Sequence, residues 1–319
     1  MTDDPFFRRT DSQVAGPPRE IVGYGEHPPR IRWHGPGGEA KVAIQLVVNY
    51  EEGSEKSFPM GDGVNDILYE LPFGLEGQRD LAVESMYEYG TRAGIWRLLR
   101  VFDNAGIPVT FFAAAVALER NPDVAAKLAR RGDETAGHGY RWSNHFEMTR
   151  DQEREAIKLA VESIESTTGS RPVGWYCREM STNTRELVVE EGGFEYDSDC
   201  YSDDLPYWTR ILGRPHLVVP YTLVVNDARY IVGTGYGSPD DFFATAKATL
   251  DRLRADGDDA GRMMSIGTHP RVSGNPARSD ALARFIDYAQ QFDDVAFLRR
   301  ADIARQFAGQ YPAASGLTP

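Results

Sequence analysis

Apolar and polar positions along this chain fall into blocks that alternate between two periods. KVAIQLVVNY (41–50) is a continuous apolar run of strand length, the pattern of a strand covered on both faces in a parallel sheet. TRAGIWRLLRVFDNAG (91–106) then spaces Ile95, Leu98, Leu99 and Phe102 along one helical face and stops at Gly106. IPVTFFAAA (107–115) predicts the next strand. NPDVAAKLARRG (121–132) predicts a helix with Asn121 at the N-cap, Pro122 in the first turn and a glycine stop. The rhythm continues with a short strand in DETAGHGY (133–140) and a helix opened by a Thr149–Gln152 capping box and running to about Thr168. Further strands are predicted at RPVGWY (171–176), FEYDSD (194–199), PHLVVPYTLVV (215–225), MMSIGTHP (263–270) and VAFLRR (295–300). Further helices are predicted at 183–193, 238–257, 276–292 and 301–307.

Strands alternating with helices imply βαβ units and a parallel sheet. Their number, without a GxGxxG phosphate loop, favours a closed or nearly closed (β/α) barrel over a dinucleotide-binding fold. Residues 1–40, rich in Pro and Gly, read as an N-terminal arm, 41–310 as a single barrel domain and 311–319 as a tail. Residues 51–84 show no sustained period and read as an irregular excursion from the first strand.

Composition narrows the partners. A net charge of −13 lacks the basic footprint that nucleic acid requires, and no apolar run reaches the roughly 18 residues of a membrane span. The start, MTDDPFFRRTD, carries acids where a secretory leader has an apolar core. Cys177 and Cys200 are too few for a disulfide framework or a zinc ribbon, so the expected compartment is the cytoplasm and the expected partner a small-molecule substrate.

In a parallel α/β barrel, active sites collect at the C-terminal ends of the strands. Glu51 and Glu52 follow the first strand, and His138, Tyr140 and Arg141 follow the 133–137 strand. Cys177, Arg178 and Glu179 follow VGWY, Asp197 and Asp199 follow FEY, and His269 and Arg271 follow MMSIGT. Each has a structural explanation when taken singly: an acidic pair before glycine is commonly a solvated loop, and a lone histidine is commonly a hydrogen-bonded structural residue. Their recurrence at one topological position is what suggests a base, an acid and cations for a developing oxyanion.

The segments VVNYEEG, ESMYEYGTRAGIWRLL, GHGYRW, RPVGWY, YDSD…DDLPYW, PHLVVPYTLVVND and SIGTHPRVSGNPAR resemble the polysaccharide-deacetylase (NodB-homology, carbohydrate esterase 4-like) superfamily, and within it the purine-catabolic allantoinase branch. The likeness runs from about Ile21 to Gln306. It implies a distorted (β/α) barrel of NodB type and a hydrolase that opens a cyclic amide or ureide C–N bond, allantoin to allantoate first among them. The alternatives are a metal-dependent N-acetyl-sugar deacetylase and a cyclic imide hydrolase. By this resemblance Glu51 is the general base, His269 the acid and His138 a donor to the oxyanion. Glu52, Tyr140, Trp142, Tyr176, Arg178 and Asp199 form the substrate-binding set, and the oligomer is a homotetramer.

The superfamily pattern places two aspartates where this chain has Glu51-Glu52, and two histidines four apart where it has His138 and Trp142. A tryptophan ring nitrogen has no lone pair for a metal. The expectation is therefore no cofactor, with a divalent metal such as zinc on Glu52, His138 and His145 the alternative if the loop folds back. The resemblance implies the same, since the allantoinase branch is the one described as working without metal. Where that branch carries a GWYTGR-like segment, this chain has GWYCRE, which moves the arginine by one position and introduces Glu179. For Glu51 to act as base near neutral pH, the sequence suggests a raised pKa, from burial and the charge of Glu52, unless Arg178 offsets them.

Overall fold

The computed structural model describes residues 16–17, 19–67, 74–257 and 260–313. Residues 1–15 and 18 of the predicted N-terminal arm and 314–319 of the predicted tail lie outside these residues. Among them runs a curled sheet in which β3 (Val42–Tyr50) is central. β10 (Arg262–Thr268) pairs along one edge of β3. β4 (Thr110–Ala113) and β11 (Val295–Phe297) share the other edge, at its two ends. From β4 the sheet continues in parallel through β5 (Glu134–Gly137), β6 (Gly174–Trp175) and β7 (Tyr196–Asp197) to β9 (Arg214–Val218), and ends on the antiparallel β8 (Tyr207–Ile211). This is the distorted (β/α) barrel that the sequence implied, left open between β10 and the β8–β9 hairpin.

Every residue of β3 is buried, as its unbroken apolar run predicts. Alternation then sorts its side chains. Ile44, Leu46, Val48 and Tyr50 join the core beneath the helices, whereas Val47 packs inside the barrel with Phe112, Ala136, Tyr176 and Tyr221. Gln45, Asn49 and Glu51 share the interior parity of Val47, so the ladder that fills the barrel delivers Glu51 to its rim.

The open seam is tied from within. Arg300 is fully buried, and its guanidinium donates to Ser198 Oγ (3.0 Å), Ser265 Oγ (3.1 Å) and the Pro220 carbonyl (2.8 Å), and also to Gln45 Oε1 and the Val219 carbonyl. These acceptors belong to both flanks of the gap.

Three predicted features differ. The span 215–225 is not one strand: β9 ends at Val218, just before Pro220. A two-residue turn with Leu212 and Gly213 both at positive φ folds β8 back on β9, an antiparallel pair the apolar runs did not indicate. A second small hairpin, β1 (Trp33–Gly35) with β2 (Gly38–Ala40), lies inside the predicted arm. The 51–84 excursion also ends sooner than expected. Asp80 caps a helix over Leu81–Tyr89, which passes through one wide π-type turn at Gly90–Gly94 into the helix Ile95–Ala105. That turn presses on the short helix Pro270–Ser273. A Cβ on Gly90 would stand 2.6 Å from Glu52 Oε1, and one on Gly94 would overlap the Pro270 carbonyl oxygen. Among the described residues, no helix is long and apolar enough to cross a membrane.

Gly94→Ala therefore forces backbone against backbone. The expected loss is about 1–3 kcal/mol, read as a lowered urea midpoint with unchanged slope. An unaltered midpoint means that this packing is looser than described.

Candidate active site

The rim at the end of β3 opens on a cavity of about 520 Å3 whose walls include Asn49, Glu51, Tyr87, His138, Trp142, Tyr176, Arg178, Tyr221, His269 and Arg271. A larger cavity of about 990 Å3 lies along the open seam, between β10 and residues 220–225; it shares Tyr221 with the first but reaches none of Glu51, His138, His269 and Arg271. The smaller cavity is where the predicted strand-end chemistry converges.

Glu51 is its centre. Oε1 faces His138 Nε2 at 3.2 Å and His269 Nε2 at 3.5 Å, and Oε2 meets the Arg271 guanidinium at 2.7 Å. The last contact is an ion pair whose angle does not make a good hydrogen bond, since Oε2 has no aligned donor. His138 is locked by donation from Nδ1 to the Tyr176 carbonyl at 2.8 Å, and its ring stacks on Tyr176 with centroids 5.2 Å apart.

His269 is held by a residue that the strand-end reading passed over. Asp227 is buried just beyond the apolar run ending at Val225. It accepts from His269 Nδ1 at 2.6 Å, from the His269 backbone N–H at 2.7 Å and from the Ser273 N–H at 3.0 Å. The available signal was the Asn-Asp pair after an apolar strand, which also reads as an ordinary turn.

The electrostatics reverse one expectation. Burial drives the Glu51 carboxyl up, but Arg271, then His269 and His138, overcome it and hold it well below its ordinary range. Glu52 is the raised member. Burial pushes it to about 7, with Arg271 opposing and Glu51 adding to the shift. Burial lowers His269, yet Asp227 and Glu51 outweigh it and lift the imidazole to about 9.

Trp142, Tyr176 and Arg178, from the predicted substrate-binding set, line the cavity. Arg178 forms a two-pronged pair with Asp66 (2.7 and 2.8 Å) and lies 3.7 Å over the Trp142 ring, which Arg271 approaches at 5.1 Å. The Trp142 ring, where the superfamily pattern has a histidine, is a platform for two guanidiniums. Three members of the predicted substrate-binding set lie elsewhere. Tyr140 packs against the helical core, with its hydroxyl toward Glu119. Asp199 is buried under the wall and accepts from the Cys177 N–H at 3.0 Å. Glu52 turns behind Arg271, accepting from its backbone N–H at 3.0 Å, and is packed against Gly90.

The donor set does not fit a divalent metal. His145 is buried away from the cavity, with Nδ1 on Glu153 at 3.0 Å, so the loop does not bring it beside His138. Glu52 is engaged by Arg271, and the positive charge that Glu51 faces is a guanidinium. Among the described residues, no group of three His, Cys, Asp or Glu side chains is arranged to hold an ion.

Residues 77–195 match the polysaccharide deacetylase family. A Schizosaccharomyces pombe protein provisionally named a polysaccharide deacetylase is 36% identical over 294 residues, covering 86% of this chain and 92% of the relative. A crystal structure from Pseudomonas aeruginosa PAO1, assigned as a polysaccharide deacetylase, superposes with a TM-score of 0.88 at 46% identity, covering 92% of this chain and 99% of that one. The crystal structure of PuuE allantoinase superposes with a TM-score of 0.88 at 45% identity, covering 92% and 98%.

Asp227 is the main charge holding His269 protonated. In Asp227→Asn, burial is left with less to oppose it, and the His269 titration followed by NMR moves from about 9 toward 6.5 or below. A His269 titration that stays near 9 shows that Glu51 alone suffices.

Proposed function

This chain belongs to the polysaccharide deacetylase family of hydrolases, and we propose that within it the protein hydrolyses the ring C–N bond of a neutral cyclic ureide, allantoin to allantoate. The observation that carries this reading is the pairing of Arg271 with Glu51 and Glu52, which occupies with an organic cation the acids that would hold a metal. An unstrained sugar acetamide is a hard target without a Lewis acid. A five-membered ring carbonyl asks less: a positioned water, a base and fixed donors. The 45% identity to an allantoinase of nearly the same length points the same way.

The cavity also favours a neutral guest. Arg178 is spent on Asp66, Lys56 on Glu147 and Arg271 on the glutamates, so each of these lining cations already faces a carboxylate. The stacked rings of Tyr176 and His138 in the cavity wall add flat surface.

In this mechanism Glu51, ionised throughout the working range, takes a proton from water as the oxygen attacks a ring carbonyl. His138 and Arg271 face the region where the oxyanion develops. His269 then gives its Nε2 proton to the departing ring nitrogen, and Asp227 keeps the resulting imidazole oriented. Two relatives carry polysaccharide deacetylase names, so the deciding experiment assays allantoin, succinimide and an N-acetylated glucosamine oligomer side by side, each with and without EDTA. Ring opening that survives chelation is expected. Acetate release that disappears on chelation and returns with zinc overturns the proposal.

Two kinetic outcomes follow from the same geometry. Glu51→Gln and His269→Ala each lower kcat by at least about 10²-fold on the best substrate, and a change within about threefold removes that residue from its assigned role. The base must be deprotonated and the acid protonated. The kcat/KM profile should therefore stay flat from below the ordinary carboxylate range up to about pH 9, where His269 loses its proton. An alkaline limb near 6.5 contradicts the arrangement.

A further inference from the structure

We propose that the Tyr87 hydroxyl is a substrate-binding donor of this active site, meeting an acceptor oxygen of the bound neutral molecule. The inference rests on the substrate class proposed above and adds a residue to the site that was not recognised in the sequence.

Tyr87 lines the same cavity as Glu51, His138, His269 and Arg271, yet its side chain is almost wholly buried. Its hydroxyl is enclosed by protein and has no hydrogen-bond partner among the described residues. A hydroxyl taken from water without a partner is costly, and native structures rarely leave one so without a use. The other buried tyrosines of the wall do not share this state: Tyr221 accepts from Asn49 Nδ2 at 3.0 Å, and Tyr176 bonds the Tyr201 hydroxyl at 2.7 Å. Arg271 Nε is likewise buried and unpartnered.

The position is fixed rather than accidental. The Arg271 guanidinium lies 4.8 Å from the centre of the Tyr87 ring, and Trp142 closes over it with centroids 6.3 Å apart. One helical turn later, Gly90 packs on Glu52, which in turn holds the Arg271 backbone. The contacts that seat the ion cluster therefore also seat this phenol. Burial raises the Tyr87 pKa well above its ordinary value, which keeps the group a donor at any working pH.

A competing explanation is local. Tyr87 also borders a smaller cavity of about 330 Å3 behind the Glu52 turn, where a structural water would satisfy the hydroxyl without any substrate. Tyr87→Phe in the full chain separates the two, because it removes one oxygen and keeps the ring. The measurements are the thermal midpoint, and kcat and KM on whichever of allantoin, succinimide and N-acetylated glucosamine oligomer the wild type hydrolyses best. The expected result is an unchanged or raised midpoint together with a loss of at least about tenfold in kcat/KM. A kcat/KM within about threefold of wild type overturns the proposal, as does a midpoint lowered by several degrees, the signature of a lost structural bond. If the wild type opens no ring but cleaves the acetylated oligomer, the proposed function fails while Tyr87 is judged on that substrate. A wild type that hydrolyses none of the three overturns both.

Discussion

Two adjacent glutamates at the end of a buried strand share one guanidinium, and the architecture of the rim is arranged around that constraint. Each ion taken from water costs several kcal/mol unless it is matched. Arg271 matches Glu51 directly and meets Glu52 through its backbone and side chain, while Asp227 matches His269. The outcome is a division of labour between chemically identical neighbours. Glu51 is kept ionised, and Glu52, hidden behind Arg271, sits close to a proton's break-even point. The helix that carries Tyr87 with the Gly90 turn after it, the short helix that carries Arg271 and the segment after β9 that leads to Asp227 all serve this one cluster.

Near-neutrality of the cluster has a chemical meaning. Cations and carboxylates cancel within a few ångströms, so little field is left to attract a charged guest or to polarise a distant carbonyl. What remains is a set of directional donors at short range, suited to a reaction in which charge appears briefly and in one place. A metal-centred site spends its acids on an ion. This one sets them against Arg271, encoded two positions past His269, so Glu51, His269 and the guanidinium are bound into a single rigid unit.

Much of this was legible along the chain. Apolar runs of strand length located β3, β4 and β10, the alternation with helices located β5, and the strand-end rule then pointed to Glu51, His138 and His269, which meet at one cavity because a parallel barrel gathers those ends on one rim. Side-chain direction in the loops was not legible. Tyr140 and His145 sit in the right loop but face the helical core and Glu153, and Asp199 has the right parity but lies one layer under the wall. The Glu51 shift was misjudged because sequence displays the neighbour in the chain, Glu52, and not the partners across the barrel. Tyr87 was missed for a reason of phase. The wide turn at Gly90–Gly94 adds a residue to the helix, so apolar positions before it fall out of step with Ile95, Leu98 and Phe102 after it.

Arg300 carries a consequence for how the polypeptide matures. The acceptors that it joins come from distant parts of the chain, and its bond to Gln45 spans 255 positions. A sheet closed strand by strand can acquire its hydrogen bonds as each βα unit emerges during synthesis. Here the interior cannot be completed until the last helix, Arg300–Gln310, is made and docked. Without Arg300, the oxygens of Gln45, Ser198 and Ser265 lose the donor that joins them. Completion of the barrel interior thus depends on a long-range closure rather than on local pairing.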